Sequence, residues 1–370
     1  MSILDSLLLS IETDGTPKQL SAAAECNATL VVISENAEVP KVCSVPILVK
    51  NNIEKAALAD GAVVSVSDVK AARSALGQDK AVGAFADSLS DAKKAQSDGA
   101  DFVIISTDCP MKNICGNISI PAAALVKSES DIRHLRGSGI CGISARLSDI
   151  NVPQKLRKAA MQAAMQGAIF DMDGTLIDSM PYWENVACDF LKGLGITPEP
   201  GLTETVKSMS LKESSAYMRD EYALSMTDEE IIDGINKTIA SYYYNDITLK
   251  TGILDMLRAF DGVKKYVCTL TPPDLSRAVL ERNGILKYFD GVLSAVDCGL
   301  NKSSPEIYEL ALKKLGTPKK YTYIFEDSDY AARTAKAGGF TVVGVSDAHT
   351  PRENIEDFCD FYTVDYEDWK

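Results

Sequence analysis

Histidine is almost missing from this chain. Only His134 and His349 occur in 370 residues. A histidine-rich metal site and a Ser-His-Asp triad are both hard to build from so few imidazoles. Nine cysteines are scattered without a single CxxC pair. Cys109 and Cys115 lie close in sequence, but with no histidine beside them they do not read as a zinc site, and reduced cytosolic thiols are the expectation. No apolar run approaches the roughly 18–20 residues of a membrane span. No basic stretch followed by an apolar one opens the chain, so no export signal and a cytoplasmic location are expected. A basic surplus is missing too: the net charge is -14, and residues 168–370 carry 34 Asp and Glu against 21 Lys and Arg. That composition excludes a nucleic-acid partner, which wants a basic face, and fits a second half built to hold cations.

What the chain does have is ample apolar content, 46%, and a length that implies two or three domains. Residues 1–150 alternate short β-branched runs with alanine-rich stretches. Strands are expected at Leu7–Ile11, Leu30–Ser34, Ile47–Lys50, Ala62–Val66, Ala81–Ala86, Phe102–Ser106, Ala122–Val126 and Ile140–Ser144, with helical spacing in segments such as Asp91–Ser97 and Ser130–Arg136. Eight strands alternating with helices predict a small parallel (βα)8 barrel of TIM type. Asn151–Gln166 reads as a helix that closes it, and no Gly/Ser/Pro linker separates that helix from the strand at Ala168.

The second half opens on a strand, Ala168–Phe170, that ends in Asp171 and Asp173 before Gly174 and Thr175 turn the chain. Carboxylates at the tip of a parallel strand sit where open α/β sheets bind ligands. Two so close repel each other unless a cation intervenes. A helical region, Pro181–Tyr244, comes next, with Trp183, Val186, Phe190 and Leu191 on one face and a capping box at Thr227–Glu230. An insert at that place suits a lid. Strands then return: Tyr266–Thr269, Gly291–Ser294 ahead of Lys302, a strand from Tyr321 into Glu326 and Asp327, and Thr341–Val345.

Asp171-Met-Asp173-Gly-Thr175, Thr269, Lys302 and Glu326-Asp327, in that order, resemble the four motifs of the haloacid dehalogenase superfamily of phosphohydrolases. The resemblance spans residues 168–370. It implies a Rossmann-like parallel core (167–182 and 246–370) with a helical cap (183–245), and Mg²⁺ as cofactor. It implies that Asp171 is nucleophile and metal ligand, and that Asp173 lends the metal its backbone carbonyl while its carboxyl serves as acid and base. Thr269 and Lys302 would grip the phosphoryl oxygens. Asp327 is the expected direct metal ligand with Glu326 acting through water, although the two roles are open to exchange. Ser303 and Ala331 depart from the family pattern without removing a reacting group. The capped branch includes sugar-phosphate phosphatases and β-phosphoglucomutase; Trp183 stands where the mutase has a histidine, which favours hydrolysis. Ser179, Trp183, Lys207 and Lys212 are the candidates to face substrate from the cap side.

Pro46–Ala62, Ala81–Ala92 and Asp98–Val103 resemble the thiamine phosphate synthase family, over about residues 1–150 (the barrel unit taken as 1–166). The family's Asn-Asp-Arg appears as Lys50-Asn51-Asn52, and its Gly-Gly phosphate loop as Leu125-Val126-Lys127-Ser128. Such departures imply a degenerate barrel, with Lys50, Asn51 and Lys127 lining any residual pocket. The expected function is therefore Mg²⁺-dependent hydrolysis of a small phosphorylated metabolite through an aspartyl-phosphate. Two alternatives stay open: a ligand-sensing or scaffold barrel with a secondary hydrolase activity, and a mutase. The barrel names thiamine phosphate as one substrate by association alone.

Overall fold

The computed structural model describes all residues except 1–7, 26–27, 42, 129–130, 133–134, 147–152, 207–208, 349 and 370. Among the described residues the chain forms two parallel α/β assemblies. Strands β1 (Leu9–Thr13), β2 (Leu30–Ile33), β3 (Ile47–Lys50), β4 (Gly61–Ser65), β5 (Ala81–Ala86), β6 (Phe102–Ser106), β7 (Ala122–Val126) and β8 (Gly142–Arg146) close into a barrel, β8 pairing with β1. Both faces of these strands are buried, which explains their unbroken apolar runs. Leu30, Val32, Leu48, Val63, Phe102, Ile104 and Ala123 cluster apart from Val31, Ile33, Val49, Val64, Val103 and Ile105, which join the helix layer. Gly83 is required for close packing: a Cβ there would meet the Phe102 ring at 2.3 Å.

Four of the eight barrel strands match their expected bounds to the residue. Three are displaced: the first and last run two residues further toward the C-terminus than their apolar runs suggest, into Thr13 and Arg146, and the fourth starts and ends one residue earlier, at Gly61 and Ser65. The expected Ser130–Arg136 helix lies partly outside the described residues, and Leu135 is already non-helical. The closing helix is Pro153–Ala164.

Only two residues separate that helix from β9 (Gly167–Phe170), the centre of a second sheet. With β10 (Lys264–Thr269), β11 (Gly291–Ser294), β12 (Thr322–Glu326), β13 (Thr341–Val345) and β14 (Phe361–Thr363), it gives the order β11-β10-β9-β12-β13-β14. Every described pairing in this sheet is parallel. After β9 the chain builds first on one side, then on the other, so the crevice for a ligand opens at the C-terminal ends of β9, β10 and β12. Below it, Phe170 and Phe325 stack with ring centroids 4.5 Å apart.

Between β9 and β10, ahead of a helix Ile253–Ala259 that leads into β10, stand the helices Met180–Gly193, Leu202–Val206, Leu211–Glu221 and Asp228–Asn245. Ile231, Ile235, Ile239 and Tyr243 repeat every four residues and form the buried stripe of the last. Gly234 admits the Phe190 ring, which a Cβ would meet at 2.3 Å. Thr227 and Glu230 cap this helix reciprocally, as the sequence predicts. No described helix is long and apolar enough to cross a membrane.

Candidate active site

β9 delivers Asp171 to the crevice and β12 delivers Glu326 and Asp327. One carboxylate oxygen from each of the three lies within 4.8 Å of the others, and all three residues are buried. The approach depends on Gly174. Its φ of +77° is open to glycine at little cost, and a Cβ would fall 2.2 Å from Asp327 Oδ2. The next residue completes the contact: the Thr175 hydroxyl donates to Asp327 Oδ1 at 3.0 Å. Lys250 holds the same loop from behind, donating from Nζ to the Gly174 carbonyl (2.6 Å), the Ser346 carbonyl (2.6 Å) and Asp347 Oδ2 (2.9 Å).

Among the described residues a single ammonium meets this acid cluster. Lys302, 2% exposed, donates to Asp171 Oδ1 and to both oxygens of Glu326 at 3.0 and 3.2 Å. Burial alone would pull its pKa down; the charges of Asp171 and Glu326 outweigh that and raise it well above the ordinary lysine value. Burial, and then the charge of Asp171, push Glu326 and Asp327 well above the usual carboxylate range. Three buried carboxylates against one lysine form a donor set short of positive charge. Hard oxygen donors in such a deficit fit a hard divalent cation.

Asp173 sits in a different environment. Its Oδ1 accepts from Ser179 Oγ at 2.7 Å and from the Tyr243 hydroxyl; its Oδ2 accepts from Thr271 Oγ1 at 2.6 Å and from Thr269 Oγ1 at 3.4 Å. Burial raises its pKa first and the charge of Asp171 second, while the hydroxyls of Thr271, Tyr243 and Ser179 work against the rise. The two aspartates of the turn are thus separated chemically. One faces lysine and carboxylates; the other is cradled by neutral donors.

Of the residues expected to face substrate from the cap, Ser179 is fully buried and gives its hydroxyl to Asp173. It stands beneath the site rather than across from it, because the helix that begins at Met180 starts directly behind the turn. Trp183 donates from Nε1 to the Tyr243 hydroxyl at 3.1 Å and keeps 38% of its surface exposed. Lys212 is exposed on the first turn of the Leu211–Glu221 helix, and no described contact brings it to Asp171 or Asp173. Lys207 lies outside the described residues. The Thr269 hydroxyl accepts the Thr271 amide at 3.1 Å as well as reaching toward Asp173.

Tyr243, Thr271 and Lys250 are site residues that sequence reasoning passes over. Tyr243 was discoverable as the last member of the isoleucine stripe, hence core-facing. Thr271 lies two residues beyond Thr269, with its hydroxyl on the same carboxylate.

Residues 165–339 match the model of the haloacid dehalogenase-like hydrolase family. The second half of the chain is a haloacid dehalogenase-like hydrolase domain. Its relatives include phosphatases. It is 25% identical over 189 residues to the fructose-1-phosphate phosphatase YqaB of Escherichia coli, a match that covers 48% of this chain and 95% of that protein. A crystal structure of a β-phosphoglucomutase-like protein from Thermotoga maritima superposes with a TM-score of 0.51 at 22% identity, over 55% of this chain and 96% of the other, which bears on the fold alone. The first half is similar to the thiamine-phosphate synthase of Methanobrevibacter smithii, 31% identical over 126 residues, covering 29% of this chain and 60% of that protein. The hydrolase domain is thus fused to a synthase-like barrel.

Proposed function

We propose that the hydrolase domain is a Mg²⁺-dependent phosphatase of small phosphorylated sugars and related metabolites, working through an aspartyl-phosphate. The observation that carries this reading is the pair of unlike environments around Asp171 and Asp173. A carboxylate that accepts from the Lys302 ammonium suits attack; a carboxyl whose pKa is raised, cradled by four hydroxyls, suits proton transfer. Asp171, Asp327 and Glu326 would hold the cation, with the backbone carbonyl of Asp173. When bound, Mg²⁺ supplies charge that screens the phosphate dianion from the attacking carboxylate.

The chain's own residues then account for the rest. An Asp171 oxygen bonds to phosphorus as the ester P–O bond breaks, and Asp173 gives its proton to the departing alkoxide. Lys302 and Thr269 steady the phosphoryl oxygens. Water next attacks phosphorus, Asp173 takes its proton, and the bond to Asp171 breaks to release inorganic phosphate. Trp183 occupies the place of the mutase histidine and is tied to Tyr243, which supports return of the phosphoryl group to water.

The unit boundaries proposed are 1–166 for the barrel, 167–182 with 246–370 for the hydrolase core and 183–245 for the cap. For the barrel we propose a structural role. Lys50 is drawn to Glu12 at 2.6 Å and lies 5.0 Å over the Phe85 ring, which leaves its charge spent inside the barrel mouth.

Hydrolysis of p-nitrophenyl phosphate with Mg²⁺ or with EDTA, beside Asp171→Asn, tests the proposal. Metal-dependent turnover that the substitution abolishes is the expected result. Equal rates for both proteins, or none on a panel of sugar phosphates, phosphoglycolate and thiamine phosphate, would refute it.

A further inference from the structure

Three consecutive carbonyls of the catalytic turn are held by distant groups. Gly174 O accepts from Lys250 Nζ at 2.6 Å, Leu176 O accepts the Lys250 amide at 3.1 Å, and Thr175 O between them accepts the Tyr366 hydroxyl at 2.7 Å. The same Thr175 gives its side chain to Asp327. Tyr366 is fully buried and its ring stacks on Phe325, centroids 6.5 Å apart. A phenylalanine would fill that space equally well, so the distinctive contribution of the hydroxyl is its bond to Thr175. A buried phenol without a partner would weaken the core instead.

The backbone around Tyr366 is arranged at some expense. Its φ is +62°, a left-handed conformation that a non-glycine residue keeps only where its surroundings impose it. Its amide donates to Thr363 Oγ1 at 3.1 Å. Gly252 lets the segment lie where it does, since a Cβ there would fall 2.0 Å from the Asp365 carbonyl oxygen.

Three residues on, Trp369 is fully buried and packs edge-on against Phe325, Phe361 and Phe260 at 5.1, 5.5 and 6.1 Å. Its carbonyl accepts Arg136 Nη1 at 2.5 Å. Arg136 belongs to the barrel, on the connection between β7 and β8, and its guanidinium lies 5.3 Å over the Phe260 ring. The barrel approaches closely here: a Cβ on Gly137 would meet the Gly262 backbone at 2.3 Å.

We infer that Phe361–Trp369 is a brace through which the barrel's Arg136 steadies the catalytic turn, with Tyr366 as the positioning residue that acts on Asp327 through Thr175. The barrel then serves the hydrolase by holding this segment in place, with no ligand of its own needed. The inference rests on the phosphatase reading only for its effect on turnover. The brace itself has a separate readout.

The test uses the full chain with Tyr366→Phe and Arg136→Gln. Hydrogen–deuterium exchange is followed over residues 172–178, and the Mg²⁺ half-saturation and KM for p-nitrophenyl phosphate are measured. Tyr366→Phe is expected to speed exchange of that turn by about tenfold, the effect of one lost hydrogen bond, and to raise the Mg²⁺ half-saturation several-fold with KM unchanged. Arg136→Gln should move both readouts in the same direction. Thr363→Val, which removes the partner of the Tyr366 amide, is a milder variant with the same expected direction should Tyr366→Phe fold poorly. Unchanged exchange over 172–178 in a folded Tyr366→Phe protein would overturn the brace. Faster exchange confined to the barrel in Arg136→Gln would overturn the link between the two halves. A wild-type protein that hydrolyses no ester would defeat the phosphatase reading, while the exchange data would still decide the brace.

Discussion

Replacing Lys302 with methionine removes the only cation in contact with the buried carboxylates among the described residues. Methionine matches the stem of lysine in volume, so packing changes little and the loss is electrostatic. Lys302 donates to Asp171 and Glu326, and Asp327 stands against them. Removing one partner of a buried ion pair costs about 3–5 kcal/mol, because the other charge is left uncompensated. For a urea dependence of about 2 kcal/mol per molar, that is a midpoint lower by roughly 2 M. Both tryptophans, Trp183 and Trp369, lie in the hydrolase half, so intrinsic fluorescence follows that half alone. The measurement belongs in EDTA at pH 7.5, where no metal substitutes for the lost ammonium. Acid should then shrink the deficit. Burial and Asp171 hold Glu326 and Asp327 well above their unfolded values. Between the unfolded and the raised folded pKa the native state binds more protons than the unfolded chain, so stability falls as pH rises through that window. Without Lys302 both groups rise further, and the variant gains more than the wild type on going to pH 5. Added Mg²⁺ should recover part of the loss at pH 7.5. A variant within about 0.5 kcal/mol of wild type in EDTA, or one whose deficit grows on acidification, would refute the view of Lys302 as the counter-charge of this cluster.

Gly174→Ala places a Cβ in the position of Asp327 Oδ2 and in a left-handed backbone; isothermal titration should find Mg²⁺ affinity reduced by about tenfold or more, and wild-type affinity would contradict the close approach. Tyr243→Phe removes one of four donors to Asp173. Since that bond holds the Asp173 pKa down, its loss raises the pKa of the acid, and the alkaline limb of the kcat profile should move to higher pH while kcat falls by about tenfold. A profile that stays in place would show that the acid is another group.

Much of this architecture was legible because it is written locally. Two-sided burial turns a strand into an unbroken apolar run, and that is why β3, β5, β6 and β7 coincide with their expected limits. Three of the four motifs lie at strand tips, where a short run of residue types carries the chemistry, and Lys302 follows in the loop after β11. What escaped detection joins residues far apart in the chain. Tyr243 and Thr271 reach Asp173 across separations of 70 and 98 residues, and no local pattern marks the meeting. β14 has three residues and the Trp369 segment has no periodicity, so nothing but the fold reveals that they lie under the catalytic turn.

The first and last barrel strands differ most from expectation. The expected limits stop the first strand at Ile11 and the last at Ser144, short of the charged Glu12 and Arg146. The backbone ladder continues regardless, with Glu12 paired in register to Arg146. Both side chains belong to the inward-facing set of an alternating barrel. There Glu12 accepts from Lys50 at 2.6 Å and has Arg146 at 3.7 Å. Charge at a strand end reads as a loop when taken alone, and as a filled barrel mouth when the neighbouring strands supply the opposite sign. Lys127 also meets an acid, Asp108 at 3.7 Å, in an exposed pair on the surface. The lysines expected to line a residual pocket therefore meet carboxylates of the barrel itself. With Lys50 already paired to Glu12 inside the barrel, the mouth offers a phosphate little charge to bind, which is the physical ground for treating the barrel as a support for the hydrolase rather than a second active site.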